Sequence, residues 1–152
     1  VKGGEAAKGT SGVVDAIGAG EGTIGYADAS QIGDLGAAKV KAGDEFIEYS
    51  PEAAAKVLET AKRTDEGSKT NFAVELDQAN AGDGVYPVVL VSYAIACTDY
   101  DDAEAATTTK AYLEYISSQE GQDAATEAAG NAPLSEAAQE NAKSALSNIK
   151  VD

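Results

Sequence analysis

Apolar positions fall into three kinds of pattern along the chain. Helical spacing comes first: Val13, Val14 and Ile17 follow Ser11 as a capping hydroxyl, with Gly18 and Gly20 to stop a helix of about two turns. Gly22-Thr23-Ile24-Gly25-Tyr26-Ala27 is a brief β-prone run between glycines and predicts a short buried strand. Residues 38–49 predict a hairpin about Gly43-Asp44, because that turn sets Val40 opposite Ile47 and Lys39 opposite Glu48. Ser50-Pro51-Glu52 then starts a helix by cap, proline and acid, with Ala54, Val57, Leu58 and Ala61 as its buried stripe and an end near Arg63. Phe72, Val74 and Leu76 alternate as in a strand, with a short helix as the alternative.

Past the Gly82-Asp83-Gly84 break, Tyr86-Pro87 opens the most β-prone stretch, running through Val88, Val91 and Ile95 to Cys97. This stretch marks the expected lobe boundary. Everything beyond it predicts helix. Residues 101–117 carry Ala105, Thr108, Tyr112, Leu113 and Ile116 on one face, and 121–129 form an alanine-rich helix closed by Gly130-Asn131. After Pro133-Leu134-Ser135, the positions Leu134, Ala138, Ala142, Ala145, Leu146 and Ile149 make the face of a last helix. The fold class is α/β. Three or four strands are too few for a complete sheet, and the long strand wants neighbours on both sides.

Charge and composition narrow the chemistry. The net charge of −15 disfavours nucleic acid and an anionic membrane surface as partners. It is spread evenly, net −7 over residues 1–85 and −8 over 86–152, so it reads as a solvated coat rather than an acidic tail. With no His, no Met, no Trp and one Cys, a His-dependent triad is impossible and most metal sites lose their usual ligands. Cys97 sits at the end of an apolar run, which predicts a buried structural thiol. The chain opens at Val1 without an initiator Met, signal peptide or lipobox, and reads as processed or truncated.

Three features could carry chemistry. Gly9-Thr10-Ser11-Gly12 at a helix start fits either ordinary capping or an anion held by unpaired amides. Asp99, Asp101, Asp102 and Glu104 cluster before a helix, where capping is favoured over calcium binding because the spacing is not an EF-hand loop. Tyr112 and Tyr115 read as core or lobe-contact residues. No nucleophile–base pair or metal set supports an enzyme, and no cofactor is implied.

Three stretches together resemble the phosphate-binding proteins of phosphate ABC importers. They are Gly9 to Val13 followed by Gly22-Thr23-Ile24-Gly25-Tyr26-Ala27-Asp28; Tyr86-Pro87-Val88 through Tyr93; and Tyr112 to Gln122 with Asn131-Ala132-Pro133-Leu134-Ser135. The resemblance covers roughly residues 9 to 149. It implies a two-lobed periplasmic-binding-protein type II fold of which this chain is the C-terminal half. Residues 1–85 would be the later part of the second lobe, and 86–152 the return strand and C-terminal helices of the first. It further implies an extracytoplasmic location, periplasmic or lipid-anchored at the cell surface, inorganic phosphate as ligand, an ABC permease as partner, and a missing N-terminal half holding the principal ligands, including an Arg in a Ser-Gly-Thr loop. Thr10, Ser11 and Gly12 match a loop near the cleft. Two other readings stay open: a self-contained acidic interaction module, and a binding protein for sulfate or molybdate.

Overall fold

The computed structural model describes residues 3–150. It divides into two compact units, one running to Ala38 and the other starting at Lys39.

The first unit is built on α1, Gly9–Ala19. The helix is longer than the expected two turns and begins earlier. Its N-cap is Lys8 rather than Ser11, because Gly9 adopts φ 69° and lets the backbone turn into the helix before the hydroxyl residues are reached. Gly18 lies inside the helix and Gly20 caps it. Thr23 ends the element, its hydroxyl donating to the carbonyls of Ile17 at 2.7 Å and Gly20 at 3.1 Å. The expected strand over Gly22 to Ala27 does not form, and Ile24 and Tyr26 are exposed. No neighbouring strand accepts its backbone, and a lone strand has nothing to stabilise it.

The larger unit opens with the hairpin of β1, Val40–Ala42, and β2, Glu45–Ile47. Val40 faces Ile47 and Lys39 pairs with Glu48 at 3.5 Å, the register expected from the apolar and ionic pairing. Asp83 clasps the turn by accepting from the Asp44 amide at 3.0 Å. Helix α2, Pro51–Ala55, is capped by Ser50, whose hydroxyl accepts from the Ala53 amide at 3.1 Å. It tightens into a 3-10 turn over Lys56–Leu58 and stops there rather than near Arg63. Arg63 goes elsewhere. Strand β3, Lys62–Arg63, pairs antiparallel with β4, Val74–Glu75, while the Arg63 guanidinium donates to the carbonyls of Ser68 and Asn71 at 2.7 Å each and lies over the Phe72 ring. Those bonds fold the polar 64–71 loop about one cation, and helix continuation loses to them. Ala42, Val57, Ala81 and Val85 form the core here, with Ile47, Leu58, Leu76 and Val89 packed against it.

Residues 88–97 form neither helix nor strand and enter no sheet. Leu90 and Ile95 are each 93% exposed, and Cys97 is exposed rather than buried. The β-prone residues are there; the partner strands are not.

Three helices complete the unit: α3, Ala103–Ser117; α4, Gln119–Ala129; and α5, Glu136–Leu146. Helix α3 packs against both others. Ala106, fully buried, replaces the expected Ala105 and Thr108 as the inward position, and Tyr112 and Tyr115 are exposed rather than core. Leu146 and Ile149 are buried as the last helix's pattern predicts.

The corner between α3 and α4 explains why Ser118, Gly121 and Gln122 stand together. The Ser118 hydroxyl accepts from the Gly121 amide at 3.2 Å and donates to the Tyr115 carbonyl at 2.7 Å. Gln122 bridges further, donating to the Ile116 carbonyl at 2.7 Å and accepting from the Leu134 amide at 2.8 Å. This ties the restart at Pro133-Leu134 back to the end of α3. The motif is a structural clasp.

Candidate functional site

Thr10, Ser11 and Gly12 occupy consecutive positions in the first turn of α1. The amides at a helix start have no intrahelical acceptor, so those of Gly9, Thr10 and Ser11 are available, and the positive end of the helix adds to their pull on an anion. No side chain caps this turn and no acid lies in it. The other long helices differ: α3, α4 and α5 are capped by Asp102, Ser118 and Ser135, and each has a glutamate in its first turn. Lys8 stands at the entrance and adds one positive charge there in an otherwise acidic chain. Ser11 is exposed, while Thr10 and Gly12 are half-buried. The nearby groove lined by Val14, Asp15, Gly18, Ile32, Asp34 and Leu35 runs along a later part of the helix and does not include them.

The acidic cluster does not assemble as a site. Asp102 is the N-cap of α3, accepting from the amides of Glu104 at 2.9 Å and Ala105 at 3.4 Å. Asp99 accepts from Lys150 Nζ at 2.5 Å and from the Thr98 hydroxyl at 2.9 Å, while the Lys150 amide donates to the Thr98 carbonyl at 2.9 Å. Among the described residues, no three His, Cys, Asp or Glu side chains converge on a common position.

The Lys150 hydrogen bond, followed by that of Thr98, holds the Asp99 carboxyl below the usual carboxylate range. The folded pKa is depressed, so this tie is present above the unfolded pKa and is lost as pH falls through the folded one. It should hold at neutral and mildly acid pH and let go only in strong acid. An NMR titration of Asp99 checks this: Lys150→Ala is expected to raise the midpoint toward the ordinary range, with the Thr98 bond still holding it somewhat below, and an unchanged midpoint would contradict the pairing.

The lone arginine is the residue whose role sequence reasoning missed. Arg63 is the single Arg of the chain, and it is spent on the carbonyls of its own loop rather than on an anion site. The nearby Phe72 and polar 64–71 run were the only signals.

A family model described as a PBP superfamily domain matches residues 1–120. The chain belongs to the PBP superfamily. Over 115 residues, 73% of its length, this PBP-superfamily chain is 33% identical to the phosphate-binding protein PstS 3 of Mycobacterium leprae (strain TN). That match spans 31% of the relative's own length. No solved structure matches the chain. Its α/β build, helices with small antiparallel sheets, accords with the family. Among the described residues, no helix is long and apolar enough to cross a membrane.

Proposed function

We propose that this chain is the C-terminal portion of a two-lobed, extracytoplasmic phosphate-binding protein that delivers its ligand to an ABC permease. The observation that carries the reading is the 33% identity to a phosphate-binding protein over 73% of the chain, on top of membership of the PBP superfamily. In this reading residues 1–85 are the later part of the second lobe, and residues 86–152 are the return strand and helices of the first. Thr10, Ser11 and Gly12 line the cleft, their helix start facing the anion with backbone donors. Capture in a cleft by neutral donors needs no basic surface, so the charge of −15 is compatible with it.

Two features support a covering N-terminal half. The largely exposed, uncharged run at 88–96 is the sequence of a buried strand without its neighbours. The single arginine is occupied within its own loop, which leaves the anion's guanidinium partner to be supplied by another segment. Calorimetry tests the reading. The 152-residue chain is expected to bind phosphate weakly and the full-length parent tightly. Tight binding by the short chain would overturn the fragment reading, and a parent that takes sulfate or molybdate in preference would overturn phosphate.

A further inference from the structure

We propose that Tyr49 is a latch joining the strand-rich part of the larger unit, residues 39–93, to its helical part, residues 98–150. The phenol hydroxyl of Tyr49 donates to the carbonyl of Gly130, the left-handed residue with φ 63° that closes α4. Carbonyls at a helix C-terminus lack intrahelical donors and carry the negative end of the helix dipole, so a neutral O–H donor suits the position. The Tyr49 ring also meets Tyr86 edge-on, with centroids 5.5 Å apart and planes at 77°. Tyr86 is itself fixed, its amide donating to the Ala53 carbonyl at 2.9 Å. One side chain therefore grips both the chain's exit from the strand-rich part and the far end of a helix in the other.

The rest of the packing makes this grip matter. The principal contacts between elements stay within each part: β1 with β2, β3 with β4, and α3 with α4 and α5. The segment between the parts forms neither helix nor strand. The most densely packed pairs of elements do not cross between the parts, so a hydrogen bond that does cross is expected to shift the balance between them measurably. In the proposed clamp the two ends of the latch fall on opposite lobes, so releasing it would bias lobe closure. That last step rests on the phosphate-protein reading; the latch itself does not.

The test measures the joint without phosphate, so its failure is distinct from failure of the proposed function. In the whole chain carrying Cys97→Ser, spin labels at Glu45→Cys in β2 and Glu140→Cys in α5, both exposed, report the distance between the parts. With Tyr49 present, one narrow distance distribution is expected. Tyr49→Phe keeps the ring and loses the hydroxyl, and should raise the detached population about fivefold, the weight of one ordinary hydrogen bond. Tyr49→Leu, which removes the hydroxyl and the ring that Tyr86 positions, should raise it at least as far. A distribution in Tyr49→Phe superimposable on that of the Tyr49 chain would overturn the proposal. So would a broad one in the presence of Tyr49, or a loss of helix content in Tyr49→Phe, which would make the residue a folding contact rather than a latch.

Discussion

Replacing Gly121 with alanine is expected to destabilise the helical part by about 1–3 kcal/mol, the range for forcing an extra carbon into a packed site. A Cβ at this position would lie 2.1 Å from the Tyr115 carbonyl oxygen and 3.0 Å from the Ile116 Cα. Both are backbone atoms of the last turn of α3, so no rotamer change relieves the clash and the corner itself must open. Opening it would strain the Gly121 amide's bond to Ser118 and, one residue on, the Gln122 bridge to Ile116 and Leu134. Denaturant unfolding followed by helical circular dichroism measures the effect, and an unchanged midpoint would refute the geometry. Gly12→Ala is the matched control. Its Cβ would meet Ala7 Cβ at 3.5 Å, an ordinary contact, and alanine is favoured inside a helix, so neutrality or a small gain is expected there.

Leu146→Ala should cost about 2–3 kcal/mol, from lost transfer free energy and the cavity left behind. Leu146 is buried at the end of α5, and α5 is held to the rest of the helical part chiefly by its packing on α3. Few large side chains share the work. Among the described residues the buried apolar positions of the helical part are Ala106, Leu146 and Ile149, so the loss of one leucine cannot be absorbed by neighbours. The same unfolding experiment reads it, with a conservative Leu146→Met variant expected to retain most of the stability. A loss under 1 kcal/mol in Leu146→Ala would mean that α5 is held by its polar contacts instead.

What the sequence made legible was local. The hairpin about Gly43-Asp44 could be placed to the residue because two pairings, Val40 with Ile47 and Lys39 with Glu48, agreed on one register. The start of α2 followed from Ser50, whose hydroxyl does what an N-cap hydroxyl does, whereas Pro133-Leu134-Ser135 marked only a restart, and it is Ser135 that caps α5. Reading failed where a residue's fate depended on something distant. Ser11 looks like a cap, but Gly9 turns the chain first. Arg63 looks like the end of a helix, yet two loop carbonyls eight or fewer residues downstream draw it into a strand pair. The runs at 22–27 and 86–97 have strand composition and no partner strand, and β structure is made by pairing rather than by composition. For the candidate site, the sequence located the helix start and its three residues but not its register. Which amides are unspent depends on the cap, and the cap was set by a glycine's φ.

The uncharged run from Val88 to Ala96 also bears on how copies of this chain behave toward one another. It has the β propensity, length and lack of charge that favour intermolecular strand pairing, and Leu90 and Ile95 already face solvent. At neutral pH the charge of −15 keeps the molecules apart. Near the isoelectric point of about 4.2 that repulsion vanishes while the adhesive segment stays uncovered. Colloidal stability is therefore governed by the acidic coat, and acidification toward the isoelectric point removes that guard.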